Sequence, residues 1–224
     1  SFLVQSPGAA CSGLWMAHAE ETLPQTLPAP FVGTQLLHLQ SQETLGTSEL
    51  RAAVKRPNSI DEDTWIASKT REVFQETVRV VHFLSEICTE ESCPRMCAGD
   101  KLEYKWADEV NVTPVSMTAP QYMQQLVNYV DAKLLDQEQL PTDGRPMPPT
   151  LRPLLQQLLR RLFRVYAHAY VHHFQIIREA GAEAHLNCNF KHFLFFVLEF
   201  KLVQMDEMLP LEGLIRKFAG DMLE

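Results

Sequence analysis

Apolar positions recur at helical spacing through most of the chain, and the gaps between their runs divide it into elements. Trp65, Ile66, Thr70, Val73, Phe74, Thr77, Val80, Val81, Leu84 and Ile87 predict one long amphipathic helix that ends near Cys88. Ser59-Ile60-Asp61-Glu62 at its start has the form of a capping box, in which hydroxyl and carboxylate satisfy each other's orphan amides. A second stripe, Tyr122, Leu126, Val127, Tyr129, Val130 and Leu134, follows Thr118-Ala119-Pro120-Gln121. There Thr118 is the expected cap, proline is tolerated in the first turn, and Gln121 is expected to reach back. A third helix is expected from about Leu151 to Ala180, stopped by Gly181 where glycine favours the residue just past a helix end. A fourth is expected from about Asn189 to Phe200, capped by Asn187 or Asn189. It is apolar at Phe190, Phe193, Leu194, Phe195, Phe196 and Val197, and therefore nearly buried. A short fifth follows Pro210.

The connections carry different patterns. Pro94 and Gly99 break the chain after the first helix, so Cys88 to Gly99 reads as a loop. Leu102, Tyr104 and Trp106 alternate with Lys101, Glu103 and Lys105, the period of a half-buried strand. Val112 to Met117 can pair back across a turn at Ala107 to Asn111, which predicts a small β-hairpin. Leu140 to Thr150 is proline-rich and reads as a surface loop. Near the start, Pro7, Pro24, Pro28 and Pro30 interrupt any helix, so a mobile arm is expected, with Gln35 to Leu50 able to form a short helix against the body.

With 224 residues and 46% hydrophobic content the chain can bury the core of one domain. The formal net charge of −8 disfavours a general nucleic-acid binder, which needs a basic face to displace counterions, and suits a basic protein partner better. The five cysteines, Cys11, Cys88, Cys93, Cys97 and Cys188, are odd in number and follow no disulfide framework. Reduced thiols, and so a cytoplasmic or nuclear setting, are expected. No basic leader opens the chain and no apolar run approaches the roughly 20 residues that span a bilayer, so no targeting or membrane segment is expected.

Two stretches carry candidate chemistry. Cys88-Thr-Glu-Glu-Ser-Cys93 offers two thiols, and Arg160 to Phe174, RRLFRVYAHAYVHHF, offers His168, His172 and His173. Two thiolates with two imidazoles most often select zinc in a closed tetrahedron. Residues four apart share a helix face, so His168 and His172 are the natural pair, whereas His168 and His173 diverge by about 140°. The alternative is a set of satisfied histidines beside merely buried thiols. Four ligands imply a structural site, and no His-Glu-x-x-His arrangement supports a metal-dependent hydrolase, the rival from another class. Arg160, Arg161 and Arg164 share one side of the same helix, suited to a bidentate grip on a phosphoserine or phosphothreonine, or else simply solvated. Trp65, with Asp61, Glu62, Asp63 and Glu72 around it, is either core or an anchor for a basic partner helix. Thr44, in Glu43-Thr44-Leu45-Gly46, is a candidate modification site or part of an ordinary turn.

Taken together, ETLGTSELRAAV at Glu43 to Val54, CTEESCPRM at Cys88 to Met96, YKWAD at Tyr104 to Asp108, TAPQY at Thr118 to Tyr122, RRLFRVYAHAYVHHF and EAHLNCNFKHFLFFVLEFKLV at Glu183 to Val203 resemble the Mob family of kinase activators. The likeness is to the branch that activates NDR/LATS-type Ser/Thr kinases in Hippo-like and mitotic-exit pathways. It implies a mostly α, single-domain bundle of long helices with one structural zinc at 43–217, to which the residue pattern adds the small β-hairpin; residues 1–42, the expected mobile arm, do not match the family's usual basic arm, and 218–224 are left as a C-terminal tail. It further implies a monomer with no enzymatic activity, zinc ligands Cys88, Cys93, His168 and His173, and a phosphopeptide pocket of Arg160, Arg161 and Arg164 for an upstream Ste20-like kinase or scaffold. Trp65, Asp61, Asp63 and Glu72 would meet the kinase's basic N-terminal extension, and Thr44 would be a regulatory phosphorylation site. The family usually has glutamate where this chain has Thr64, and Cys97 and Cys188 replace residues that are commonly small or hydroxylated.

Overall fold

The computed structural model describes residues 46–223. Thr44, the expected arm at 1–42 and most of the Gln35 to Leu50 segment lie outside them. The described elements are α1 (Thr47–Val54), α2 (Glu62–Leu84), α3 (Ala119–Leu135), α4 (Leu151–His168), a π turn (Ala169–His173), α5 (Phe174–Glu179), α6 (Glu183–Glu199) and α7 (Glu212–Ala219), the last entered through a 3-10 turn at Met205–Leu211.

Helix α2 begins two residues later than its apparent capping box. Asp61 is the cap, its side chain accepting the Thr64 amide, while Ser59 lies in a turn closed by the Ile60 amide on the Pro57 carbonyl at 3.1 Å. Glu62 and Asp63 then place negative charge in the first turn, against the positive end of the helix dipole. Thr118 caps α3 as expected, accepting from the Gln121 amide at 3.4 Å. The Gln121 side chain turns away to donate to Glu90 at 2.8 Å, so the reciprocal half of the box does not form.

The single helix expected from Leu151 to Ala180 is three pieces, because the π turn interrupts its ladder. Its end follows the expectation. Gly181 takes a left-handed φ of 72°, and the Gly181 and Ala182 amides donate to the Arg178 and Ile177 carbonyls, both at 3.0 Å. α6 restarts at once at Glu183, well before Asn187 or Asn189, neither of which caps it. Its N-cap is Ala182, which has no capping side chain, and Asn189 is buried mid-helix.

No β-hairpin forms among the described residues. The expected strands reduce to two isolated antiparallel bridges, Cys97 with Glu103 and Trp106 with Val115. The Tyr104 amide donates instead to the Met96 carbonyl at 2.7 Å, and the Met96 amide to that of Met117 at 3.0 Å, so the cysteine loop lies between the would-be partners. Asp108 draws the chain into a turn by accepting the Val110 and Asn111 amides and, at 2.8 Å, the Trp106 indole N–H. Pro114 has no amide to add.

Helix α2 packs along both α4 and α6, and α1 is laid along α6, while aromatic side chains join α4 to α6. Phe163, Tyr166, Phe190 and Phe193 interdigitate there with ring centroids 5.3–6.4 Å apart. The buried Tyr166 hydroxyl is satisfied by that of Thr77 at 3.2 Å. This packing holds rigid the C-terminal half of α4, from which the histidines and arginines project.

Candidate functional site

Cys88 and Cys93 are brought together by a tight turn. The Thr89 amide donates to Ser92 Oγ at 2.9 Å, the Ser92 amide to Thr89 Oγ1 at 3.1 Å, and the Cys93 amide to the Thr89 carbonyl at 2.8 Å. Both thiols are buried and face the end of α4. His168 is the last residue of that helix, and the π turn that follows widens its repeat so that His173, not His172, returns to the same side. The Nε2 atoms of His168 and His173 are 3.3 Å apart; Cys88 Sγ is 3.5 Å from His168 Nε2, and Cys93 Sγ 3.3 Å from His173 Nε2. All four donor atoms lie within 4.8 Å of one another. A tetrahedral ion with metal–N near 2.0–2.1 Å and metal–S near 2.3 Å needs edges of about 3.3 Å between nitrogens and about 3.6 Å between sulfur and nitrogen. The residues fit such an ion.

The protonation chemistry fits as well. His168 Nδ1 lies 2.8 Å from the Cys97 carbonyl, an acceptor, so Nδ1 carries the proton and the Nε2 lone pair faces the thiols. Burial pushes the His168 imidazole below its ordinary range. His173 is pushed down to about 4, by burial first and then by its histidine neighbours. Both rings are therefore neutral, the ligating form, at neutral pH. Burial, with Cys93 beside it, pushes the Cys88 thiol well up, a penalty that a bound cation would offset by stabilising the thiolate. His172 stays outside the quartet: its ring is exposed, its Nε2 accepts the Gly99 amide at 3.2 Å and lies 3.3 Å from Cys97 Sγ. What Cys97 contributes to the quartet is its carbonyl rather than its thiol.

The arginines line a groove between α4 and the 3-10 turn, with Tyr104 and Leu102 on one wall and Asp206, Glu207 and Leu209 on the other. Arg161 is sandwiched, its guanidinium 4.8 Å from the Trp106 ring and 4.8 Å from that of Tyr129, and it donates to the Ala107 carbonyl at 2.6 Å. Arg164 lies 5.2 Å from the Tyr104 ring and donates to the Tyr122 hydroxyl at 2.5 Å. Both guanidiniums are held at fixed angles with donors to spare. Arg160 is more exposed and pairs with Glu207 at 2.9 Å. The aromatic brackets and the acidic wall were not legible as parts of this site. Tyr122 and Tyr129 read as a core stripe, and Glu207 follows the arginines by more than forty residues.

Trp65 is 8% exposed. Its indole N–H donates to the Val54 carbonyl at 2.9 Å, and Lys69 Nζ lies 4.8 Å from its ring. Asp61 caps the helix and Asp63 stands in its first turn, and Glu72 pairs with the buried Lys69 at 2.7 Å. Thr64 Oγ1 donates to Asp61 at 3.2 Å. The acids thus hold up the start of α2 while the ring packs inward. A second buried polar pair was missed from sequence. His192 Nδ1 sits 2.8 Å from the Glu76 carboxylate, both fully enclosed, linking α6 to α2.

A helical bundle with a buried Cys2His2 quartet at the end of α4, and an arginine groove on the flank of the same helix, describes a helical module with a candidate metal centre. The sequence pattern of the Mob1/phocein family matches residues 42–211, and the chain belongs to that family. It is 41% identical over 194 residues to MOB kinase activator-like 1A of Medicago sativa subsp. falcata, covering 85% of this chain and 89% of that protein. To MOB kinase activator-like 1A of Arabidopsis thaliana it is 39% identical over 199 residues, covering 88% and 92%, and to MOB kinase activator 3B of Mus musculus 38% over 192 residues, covering 84% and 89%. Among the described residues no helix is long and apolar enough to cross a membrane.

Proposed function

We propose that this protein is a non-enzymatic adaptor and allosteric activator of NDR/LATS-type Ser/Thr kinases in Hippo-like or mitotic-exit signalling, working in the cytoplasm and nucleus. It takes phosphorylated segments of an upstream Ste20-like kinase or scaffold in the arginine groove and the kinase's basic N-terminal extension on the acidic start of α2, around Asp61, Asp63, Trp65 and Glu72. Zinc on Cys88, Cys93, His168 and His173 is structural, and phosphorylation of Thr44 regulates the module.

The observation that carries the reading is the fixed pose of Arg161 and Arg164. Bracketed by Trp106, Tyr129, Tyr104 and Tyr122, they offer planar donors whose ordering entropy is already spent, as bidentate phosphate recognition requires. The rival, a metal-dependent hydrolase, needs a ligand position open to water, and here the four donors of the quartet are all buried. The kinship with proteins named kinase activators supports the adaptor. The test is calorimetric titration with a phosphothreonine peptide and its unphosphorylated twin. Phosphate-dependent binding that is lost in Arg161→Ala and Arg164→Ala is expected; equal binding of both peptides would overturn the assignment.

A further inference from the structure

The π turn that carries His173 inward leaves His172 outside, against Cys97. We propose that Cys97 and His172 form a second metal site, solvent-accessible and selective for thiophilic ions such as Zn2+, Cd2+ or Cu+, beside the buried quartet. Cys97 Sγ and His172 Nε2 are 3.3 Å apart, within the 3.3–3.5 Å span of the sulfur–nitrogen pairs of the quartet and near the edge of about 3.6 Å that a tetrahedral ion sets. Donor atoms of Cys97, His168 and His172 all lie within 4.8 Å of one another. His168 is spoken for, with Nε2 toward Cys88 and Nδ1 on the Cys97 carbonyl. The second ion therefore has two protein ligands, and solvent completes its shell.

The tautomer of His172 is already the one required. Because the Gly99 amide donates to Nε2, that nitrogen bears a lone pair and the proton sits on Nδ1. An ion would take over this lone pair from the Gly99 N–H, at the left-handed turn where Gly99 has a φ of 79°. Cys97 is half-buried and His172 exposed, so the pair has an entry path that the quartet lacks. Thiolate with imidazole is a soft donor set, which excludes Mg2+ and Ca2+ as occupants. Binding breaks the Cys97 S–H bond and forms S–metal, and the proton leaves to water. With half the ligands of the quartet, this site exchanges its ion readily.

The test is a Cd2+ titration of the full chain as purified, with bound metal quantified at equilibrium by dialysis against a fixed free Cd2+ concentration and the sulfur-to-cadmium charge-transfer absorption followed. Cys97→Ser and His172→Gln are titrated in parallel, and their helix content is checked by circular dichroism. One metal equivalent more in the parent than in either variant, with helix content unchanged, is expected. The same metal content in the parent and both variants would overturn the proposal, whatever the phosphopeptide measurements give.

Discussion

His168 Nε2 and His173 Nε2 stand 3.3 Å apart although five residues separate them, an interval that a regular α-helix would turn through about 140°. The π turn at Ala169–His173 closes that angle, and it lies where the chain meets the cysteine loop. A π bulge forfeits regular α-helical hydrogen bonding, so it is stable here because the surroundings over-determine it. The thiols of Cys88 and Cys93 and the carbonyl of Cys97 supply that determination.

Removing the proposed zinc should accordingly release the loop from α4. Chelation, or Cys93→Ser, is expected to lower the thermal midpoint by well over ten degrees, since a change of about 1 kcal/mol shifts a domain of this size by roughly 2–4 °C and structural zinc contributes many times that. Circular dichroism melts with and without chelator read it directly. A melt that chelation leaves unmoved would show that the quartet holds no structural ion.

Arg161→Ala and Arg164→Ala should each weaken phosphothreonine-peptide binding at least tenfold, because each removes charge-assisted donors worth about 1.5–3 kcal/mol. Arg160→Ala should cost less, since Arg160 begins in the arms of Glu207. Calorimetry of the three variants gives the ranking.

Glu207 pairs with Arg160 and would compete with the phosphate of the proposed ligand, and Asp206 adds a second charge on the same wall. Glu207→Gln should therefore raise phosphopeptide affinity a few-fold, the scale of an exposed ion pair of about 0–1 kcal/mol. The gain should shrink as salt is added. No gain at low ionic strength would mean that Arg160 is not part of the phosphate grip.

The buried pair of Glu76 and His192 gives the fold a pH dependence. Burial alone would push His192 down, but the charge and hydrogen bonds of the Glu76 carboxylate outweigh it, so the imidazole titrates above its ordinary value; Glu72 assists and Lys69 opposes. A raised folded value means that the pair's contribution is fully present below about pH 6.5 and lost as pH rises through the folded-state value. Denaturant unfolding as a function of pH should show that decline. His192→Phe should flatten it and destabilise by about 3–5 kcal/mol, by leaving a buried carboxylate without its partner.

Much of this architecture was legible because it rests on local rules. Thr118 caps α3 through its own hydroxyl, Gly181 is needed for its left-handed turn, and the Phe193 to Val197 run is apolar throughout because it is enclosed. What escaped depends on distant partners. Leu102, Tyr104 and Trp106 alternate like a strand, yet their neighbours are the cysteine loop and the Asp108 turn. α6 begins at Glu183 behind Ala182, an N-cap whose methyl group cannot announce it. Spacing on a straight helix pointed to His172, because nothing local marks a π turn. The resemblance to Mob proteins pointed to His173.

The proposed module activates a kinase without doing chemistry of its own. The most direct measurement adds the purified, metal-loaded chain to an NDR/LATS-type kinase and follows the phosphorylation rate of a substrate peptide, with Arg161→Ala/Arg164→Ala as a control for the groove. A rate that rises saturably with the added chain, while the chain alone turns over nothing, is the predicted result. A kinase rate unchanged at saturating, demonstrably bound chain would contradict the account.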